Sequence, residues 1–233
     1  LAGLMETANV VRDGVVMDFV NARRIVARQK ETLEERLGRA LDHAAAAIPP
    51  GVSQGNVRAV RHVLEGAGYH CTDIVNESNA AAMVLGVENG AMVDVGGGTT
   101  GISIFKEGRA LYAADEPTGG HHMTLVLSGS LGLPYDQAEL EKRDTGRHHT
   151  VFPIIRPVVE KMAAITGKYI AGYEVAEVYV AGGASAFEDF SKSFSDALGL
   201  PVYRPLCPWL VTPLGIAMHD LPAGPRQSVE GEK

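Results

Sequence analysis

The sequence has little cysteine and no long apolar run. Only two cysteines occur among 233 residues, Cys71 and Cys207, and their separation rules out a Cys-x-x-Cys motif. Two isolated cysteines with no secretory segment near them are typical of a reducing compartment, so we expect a cytoplasmic protein. Charged residues and histidines interrupt every apolar run before it reaches the roughly 18 residues that a membrane span requires. The sequence therefore predicts a soluble protein without a membrane partner.

Positive charge is also scarce. The chain has 21 lysine and arginine residues against 28 aspartate and glutamate residues, which gives a formal net charge of -7. No Lys/Arg-rich run appears, so the sequence lacks the basic field that a nucleic-acid partner would need. A hydrophobic content of 45% over 233 residues is enough for one large or two small domains with true cores.

The most informative segment is residues 93–100, which read Val-Asp-Val-Gly-Gly-Gly-Thr-Thr. Strand-like residues flank the glycines on both sides, so these glycines are predicted to form a tight strand-to-strand turn whose backbone amides can approach an anion. No helix follows directly, which excludes the Walker P-loop and the Rossmann fingerprint. A glycine-rich β-turn without a ligand is the alternative explanation. The segment predicts a phosphate-binding hairpin with Asp94 at the end of its first strand.

Helices and strands alternate in the first 90 residues. Helical periodicity, capping residues and closing glycines predict the helices, and apolar runs bounded by proline or glycine predict the strands. The predicted order is helix 21–37 closed by Gly38, strand 44–48, a helix from Ser53 to about Gly66, strand 69–75 and helix 79–87. This alternation indicates an α/β domain with a largely parallel sheet.

Three consecutive strands are predicted between residues 91 and 114, and they would form a meander that opens a second domain. The remaining predicted elements are helices 120–131, 135–143 and 151–171, strand 177–181, helix 186–198 and strand 202–203. We therefore expect a first lobe at 1–88, a second lobe at 89–211 and a final helix at 212–221 that packs back on the first lobe. The Pro/Gly-rich residues 222–233 are predicted to be a disordered tail.

Four segments in this order resemble the actin-like ATPase superfamily. They are residues 76–82, 94–100, 180–185 and 212–218, which resemble the first connecting helix, the second phosphate loop, the adenosine loop and the second connecting helix of that superfamily. The resemblance covers most of the chain. It implies an actin-like (ribonuclease H-like) α/β fold of two lobes, each with a mixed central sheet flanked by helices.

Three further segments, residues 10–20, 48–51 and 116–122, resemble the chaperone-like proteins of ethanolamine-utilisation operons, a family within this superfamily. That resemblance implies a cytoplasmic protein that assists ethanolamine-utilisation enzymes or the shell proteins of a bacterial microcompartment. The sequence leaves open the oligomeric state, the client and the surface that binds it.

ATP with Mg²⁺ is the cofactor that the resemblance implies. Phosphoryl chemistry needs amides and hydroxyls around the phosphates, a hydrated metal and an oriented water. The candidates around the β and γ phosphates are Gly96, Gly97, Gly98, Thr99 and Thr100. Asp94 would hold the hydrated Mg²⁺ through water, and Glu77, by resemblance, would position the attacking water. The alternatives are a turn-capping role for Asp94 and a helix N-terminal charge for Glu77.

The remaining candidates complete a nucleotide site by resemblance. They are Gly119 and Gly120 near the γ phosphate, Glu139 and Lys142 at the ribose, and Gly182, Gly183 and Ala184 at the adenosine. For these residues the alternatives are an ordinary strand-to-helix turn and a routine surface ion pair on a helix. His121 is a candidate to line the cleft. The pairs His121-His122 and His148-His149 lack a third ligand at a useful spacing, so we expect no metal site there.

The sequence departs from the superfamily in its first twenty residues. They contain no Asp-x-Gly-Thr hairpin, which is the first phosphate loop of the superfamily, and no lysine matches the catalytic lysine of the chaperone ATPases. We therefore expect an N-terminally incomplete first lobe and slow or no ATP hydrolysis. Two other functions stay open: a bacterial actin-like filament or assembly scaffold, and a sugar or acid kinase, which the short chain disfavours.

Overall fold

The computed structural model describes residues 2–6, 8–12 and 14–219. The first elements are β1 (Val11–Arg12), β2 (Val15–Val16), α1 (Phe19–Leu37), β3 (His43–Ile48), α2 (Gln54–Gly66), β4 (His70–Asn76) and α3 (Glu77–Leu85). Strands β1 and β2 form a short antiparallel pair, whereas β3 and β4 pair in parallel. Helix α2 connects β3 to β4, which is the strand-helix-strand unit that the alternation predicts.

Local capping chemistry sets the ends of the first two helices. The Asp18 carboxylate accepts a hydrogen bond from the Asn21 amide at 3.0 Å, so α1 begins two residues before its predicted start. Gly38 ends α1 in the left-handed conformation, as predicted. The Ser53 hydroxyl accepts from the Asn56 amide at the start of α2, which confirms the predicted cap.

The second half of the chain forms one mixed sheet with helices around it. Its elements are β5 (Gly90–Val95), β6 (Thr100–Lys106), β7 (Arg109–Glu116), α4 (Gly120–Leu131), α5 (Tyr135–Arg143), α6 (His148–Ile170), β8 (Val178–Ala181), α7 (Phe190–Leu198), β9 (Val202–Tyr203) and α8 (Pro208–Met218). The sheet order is β7-β6-β5-β8-β9. Strands β5, β6 and β7 form the predicted antiparallel meander, and β8 joins β5 in parallel.

Besides α1, four helices begin at different residues from those predicted. Helix α6 begins at His148, three residues before its predicted start. Helix α3 begins at Glu77 because the Asn76 side chain caps it. Helix α7 begins at Phe190, since residues 183–185 form a separate 3₁₀ turn. Helix α8 begins at Pro208. Proline is favoured in the first turn of a helix, because backbone amides there make no intrahelical hydrogen bond and the amide hydrogen that proline lacks is not needed. The predicted end of the last helix and the predicted tail at 222–233 lie outside the described residues.

The two faces of the large sheet carry separate cores. One face packs against α4, α6 and α7, and its fully buried residues include Val93, Ile102, Phe152, Phe190 and Phe194. The other face packs against α3 and α8 through residues that include Ala81, Met92, Ala181 and Val211. All six residues of β5 are buried because both of its faces are covered, which explains why its sequence is apolar apart from Asp94.

Helices α3 and α8 cross at backbone contact. A Cβ atom on Gly215 would lie 2.0 Å from the carbonyl oxygen of Ala80, so any side chain at position 215 would force the helices apart. Helix α8 therefore packs directly on α3. The proposed boundaries of the two lobes remain a prediction. Within the described residues, no helix combines the length and the apolar character that crossing a membrane would require.

Candidate functional site

The loop between β5 and β6, residues 96–99, presents unpaired amides at its tip. The Gly96 amide donates to the Thr99 carbonyl at 2.9 Å and closes the turn. The amides of Gly97, Gly98 and Thr99 donate no hydrogen bond to any residue that the structure describes. Gly97 and Gly98 are exposed. Consecutive amides that are free and exposed in a glycine turn can bind an anion, so the loop has the donors of the predicted phosphate hairpin.

The opposite side of this loop is fastened to the first turn of α4. The carbonyls of Gly96 and Gly97 accept hydrogen bonds from the amides of Gly120 and His121 at 2.9 and 2.7 Å. Gly119 permits this contact, because a Cβ atom there would lie within 2.8 Å of the backbone of residues 96–98. The carbonyl groups of Gly96 and Gly97 are therefore occupied by hydrogen bonds within the protein, whereas the amides at the tip of the loop remain available to a ligand.

The turn after β8 lies against the end of β5. Gly182 has a φ of +88°, and a Cβ atom there would lie 2.3 Å from the Val95 carbonyl oxygen and 2.4 Å from Oδ1 of Asp94. Only glycine satisfies both the conformation and the space. Because β5 and β8 are parallel neighbours, their carboxyl ends meet at one sheet edge. The structure thus brings together two glycine segments that lie more than 80 residues apart in sequence.

Helix α4 also contacts the turn after β8, helix α5 contacts α4 there, and Gly120 lies at the centre of these contacts. A Cβ atom on Gly120 would lie 3.2 Å from Cβ of Ala184 and 3.4 Å from Nζ of Lys142. Gly120 therefore touches both the turn after β8 and the ion pair that α5 carries. The predicted phosphate, adenosine and ribose segments converge around this one residue.

Lys142 and Glu139 are not a routine surface pair. The Lys142 ammonium lies 2.7 Å from Oε2 of Glu139 and donates to the Gly120 carbonyl at 2.9 Å and to the Thr124 hydroxyl at 2.7 Å. Burial lowers the pKa of Lys142. Burial raises the pKa of Glu139, but hydrogen bonds from Lys142 and Thr124 outweigh it, and the net pKa is lowered. The pair joins α5 to the first turn of α4.

Asp94 is buried below the hairpin. Thr212, on α8, donates its hydroxyl to Oδ2 of Asp94 at 2.6 Å. Burial raises the pKa of Asp94, although the hydrogen bond from Thr212 acts in the opposite direction. Asp94 therefore contacts the turn after β8 and α8 together. Its predicted contact with Mg²⁺ through water stays a prediction.

Glu77 is the first residue of α3 and is half-buried. Burial first, and then the carboxylates of Asp94 and Asp115, raise the pKa of Glu77 to about 7. Glu77 therefore lies close enough to Asp94 and Asp115 for their charges to act on its carboxyl group. The sequence analysis missed Asp115. The strand register could have indicated it, because Asp94 pairs with Gly101 and Gly101 pairs with Asp115 across the meander.

This donor set fits a nucleotide that carries a hydrated cation. The hairpin offers amides to an anion, and the acidic trio of Glu77, Asp94 and Asp115 offers negative charge to a cation. Across residues 2–6, 8–12 and 14–219, no three His, Cys, Asp or Glu side chains are grouped to ligate an ion directly. Mg²⁺ usually keeps several of its waters, so these carboxylates could hold it through water.

Two predicted site residues have other partners. The Thr100 hydroxyl is buried and donates to the Thr118 carbonyl at 2.5 Å, so it is engaged inside the protein. Nδ1 of His121 lies 2.8 Å from the Tyr135 hydroxyl. Gly119 donates its amide to Nδ1 of His122, which places that ring at the start of α4. Thr99, which is partly exposed, is the threonine that lies at the turn.

A separate cavity of about 460 Å³ lies between α6 and α7. Charged side chains of both signs line it, among them Arg156, Glu160, Asp189 and Lys192. It contains none of the residues of the predicted nucleotide site. This cavity is therefore distinct from the candidate site at the glycine segments.

Comparison with protein families agrees with the actin-like fold. The family model described as cell division protein FtsA matches residues 91–215. The model described as MreB/Mbl protein matches residues 3–127. Each match covers more than half of the chain, and together they include every predicted site residue.

Individual relatives identify the family more narrowly than these two family models do. The chain is 40% identical over 218 residues to the ethanolamine utilization protein EutJ of Salmonella typhimurium, with 93% of this chain and 76% of that protein covered. It is 40% identical over 235 residues to EutJ of Escherichia coli strain K12, with 99% of this chain and 80% of that protein covered. A more distant relative is the chaperone protein HscA of Photorhabdus laumondii, 27% identical over 151 residues, with 60% and 23% covered.

Solved structures agree with the sequences. The crystal structure of EutJ from Carboxydothermus hydrogenoformans superposes with a TM-score of 0.87 at 46% identity and covers 91% of this chain and 78% of that one. A PilM-PilN type IV pilus biogenesis complex gives 0.76 at 16% identity, with 95% and 91% covered. MreB 5 of Spiroplasma citri bound to AMPPNP gives 0.71 at 17% identity, with 89% and 77% covered. The chain therefore belongs to the EutJ family of ethanolamine utilization proteins and has the actin-like ATPase fold.

Proposed function

We propose that this chain binds ATP together with Mg²⁺ and acts as a chaperone-like protein of ethanolamine utilisation. Its clients would be the pathway enzymes or the shell proteins of a bacterial microcompartment in the cytoplasm, and ATP turnover would be slow or absent. The observation that carries the nucleotide part is the set of free amides at Gly97, Gly98 and Thr99, in the hairpin directly after the end of β5 that Gly182 contacts.

The electrostatics of the site favour a nucleotide with its cation over a bare anion. Burial first, and then the nearby carboxyl groups of Asp94 and Asp115, raise the pKa of Glu77 to about 7. An unaccompanied triphosphate would add negative charge next to this trio, which is unfavourable in a partly buried region. Bound Mg²⁺ would supply the positive charge that both the phosphates and the carboxylates need. We therefore expect affinity for ATP to depend on Mg²⁺.

We also propose that nucleotide binding changes the affinity for clients, and this switch depends on the contacts that connect the hairpin to α8. Asp94 contacts Thr212, and α8 in turn lies in backbone contact with α3. Phosphates bound at residues 96–99 would therefore act on a strand that is hydrogen-bonded to the crossing helices. The identity to the chaperone HscA supports a client-binding role for such a switch. We expect client affinity to differ between the ATP-bound and nucleotide-free states.

Isothermal titration calorimetry with Mg-ATP, Mg-ADP and ATP in EDTA tests the nucleotide part. The matched variants are Gly97→Val and Gly129→Val, because a Cβ atom at either position meets no described atom within 4 Å. We expect Gly97→Val to lose at least about tenfold in affinity, since the side chain occupies the approach to the free amides, and Gly129→Val to bind normally. Asp94→Asn should also weaken binding. No heat from the unsubstituted chain with any nucleotide contradicts the proposal.

Two further measurements test the remaining parts. Co-sedimentation of the chain with purified enzymes and shell proteins of the same pathway, with and without Mg-ATP, tests the switch. Equal binding in both conditions contradicts it. Release of ADP over hours, measured with a coupled assay, tests slow turnover, and rapid steady release contradicts it.

A filament or assembly scaffold is the second candidate. The FtsA and MreB/Mbl models, which describe bacterial actin-like proteins, each match more than half of the chain. This reading predicts ATP-dependent self-association. Sedimentation of the chain alone with Mg-ATP distinguishes the two functions, because a nucleotide switch without polymerisation stays in the supernatant.

A further inference from the structure

The large sheet has two edges of very different length. Its order is β7-β6-β5-β8-β9, so β7 and β9 each have one neighbour among the strands that the structure describes. Strand β9 has two residues, whereas β7 has eight. A long free edge presents a row of backbone amides and carbonyls with which another strand can pair. The β7 edge is therefore the side on which the sheet can be extended.

The β7 edge is open and apolar at its centre. Its sequence, Arg-Ala-Leu-Tyr-Ala-Ala-Asp-Glu, contains neither proline nor lysine, the residues that commonly block pairing at a sheet edge. Its first five residues are exposed, and the exposed fractions of Leu111 and Tyr112 are 53% and 36%. A bulge lies at Leu111, the residue of β7 that has no counterpart in the register with β6.

The charged ends of β7 lie on one face of the sheet. Tyr112 and Glu116 face α6, because the Tyr169 ring stacks on the first and the Tyr169 hydroxyl donates to the second. Arg109 lies opposite Lys106, whose ammonium pairs with a glutamate in the loop after α6. Arg109 and Glu116 therefore place a positive and a negative charge at opposite ends of the strand, on the same face.

A two-fold axis through Ala113 would pair this edge with the same edge of a second copy. The strands would run antiparallel, and the bulged Leu111 of each strand would stand outside the register. The resulting pairs are Arg109 with Glu116, Ala110 with Asp115, Tyr112 with Ala114, and Ala113 with its own counterpart. The members of each pair lie on the same face of the sheet, as antiparallel pairing requires, because the bulge resets the alternation in both strands.

This register is complementary in charge. Arg109 of each copy would lie opposite Glu116 of the other copy, and opposite charges directly across two strands attract. Arg109 forms no ion pair with any residue that the structure describes. The Tyr169 hydroxyl binds Oε1 of Glu116 and leaves Oε2 to a partner. The order of charges along β7 thus matches β7 itself in reverse, which is the property of a two-fold contact.

We propose that two copies of this chain form a dimer by antiparallel pairing of their β7 strands. The pairing joins the two five-stranded sheets into one continuous sheet. A two-fold contact uses the same surface on both copies, so assembly stops at two. The inference goes beyond the proposed function, because the dimer requires no nucleotide, and this property also separates it from an ATP-dependent filament.

Sedimentation velocity of the chain without nucleotide tests the dimer. Between about 1 and 100 μM we expect the mass to rise from that of one copy to that of two. Arg109→Glu and Glu116→Arg should each raise the dissociation constant at least about tenfold, because like charges then meet at both ends. An equimolar mixture of the two variants should regain the dimer, since each supplies the charge that the other needs. Arg58→Glu, at an exposed position of α2, is the control and should dimerise normally.

Cross-linking tests the position of the axis. In a Cys207→Ser background the remaining natural cysteine, Cys71, is buried. Ala113→Cys should form a disulfide between copies on treatment with oxidised glutathione, because Cβ atoms directly opposite in an antiparallel pair lie about 4.5–5.5 Å apart. Ala110→Cys is the matched control on the same strand. Its counterpart in the second copy would lie more than about 10 Å away, so it should cross-link far more slowly.

The outcomes are distinct from those that test nucleotide binding. The mass of one copy at every concentration overturns the proposal and leaves the edge to a strand of another protein. A dimer that mixing of the charge variants does not restore, or equal cross-linking of the two cysteine variants, also overturns it, because the contact then lies elsewhere. If a charge variant fails to fold, the cysteine variants decide the question.

Discussion

Thr212 donates its hydroxyl to Asp94 at 2.6 Å, although the two residues are 118 positions apart. The bond joins α8 to the last buried residues of β5, directly before the glycine hairpin. It is also the one hydrogen bond given to the Asp94 carboxylate by the described side chains. The last helix and the phosphate hairpin are therefore one structural unit.

Replacement of Thr212 by valine should destabilise the protein. The substitution keeps the side-chain shape but removes the hydroxyl, which leaves a buried carboxylate without its donor. We expect a loss of about 1–3 kcal/mol in the free energy of unfolding, measured by urea denaturation. Thr212→Ser restores the donor and should recover most of the stability. Equal stability of the valine and serine variants would show that the hydrogen bond contributes nothing.

Gly215 should not tolerate alanine. The added methyl group would lie 2.0 Å from the Ala80 carbonyl oxygen, so α3 and α8 would have to separate. We expect a loss of at least about 2 kcal/mol in stability. Gly129→Ala on α4 is the control, because its methyl group meets no described atom within 4 Å, and it should stabilise the helix by about 0.5–1 kcal/mol. Similar denaturation midpoints for both variants would contradict the close helix crossing.

The stability effect of Glu77 should depend on pH. Because the pKa of Glu77 is raised to about 7 in the folded state, from an ordinary value of 4.5, the folded state favours the protonated form. That contribution is complete below about pH 4.5 and is lost as the pH rises through 7. Glu77→Gln should therefore match the unsubstituted chain at pH 4 and be more stable at pH 8 by roughly 2–3 kcal/mol.

Urea denaturation at both pH values measures this difference. The exposed substitution Glu88→Gln serves as the control for general effects of removing a glutamate. A Glu77→Gln effect of the same size at pH 4 and pH 8 would contradict the shifted titration.

Two lysines in similar helical ion pairs should differ in their contribution to stability. The Lys142 side chain is 11% exposed and binds Glu139, Gly120 and Thr124, whereas that of Lys192 is 75% exposed and pairs with Asp196. Lys142→Met should cost about 1–3 kcal/mol because it removes the ammonium that bonds to Gly120 and Thr124 and leaves the half-buried Glu139 with Arg143 as its remaining cationic partner. Lys192→Met should cost no more than about 0.5 kcal/mol. Thermal denaturation of the two variants side by side measures the contrast, and equal shifts would contradict the structural role of Lys142.

Much of the fold follows from the sequence because its signals are local. Helices 120–131 and 135–143 and strand 202–203 have the predicted bounds, and the caps at Ser53 and Gly38 lie where the residue types place them. Periodicity, capping and glycine turns act between residues that are at most a few positions apart. Such interactions are present in the chain before it folds.

The site needed the tertiary structure. The meeting of the glycine segments, the burial and the carboxyl neighbours that raise the pKa of Glu77, and the burial of Lys142 all depend on contacts between residues far apart in sequence. Asp115 joined the acidic trio through strand register, and Thr212 reached Asp94 because α8 packs beside the end of β5. The sequence alone determined the elements and the chemistry of the hairpin. Only the packing of β5, β8 and α8 decided which side chains surround it, because burial and proximity are properties of the folded chain.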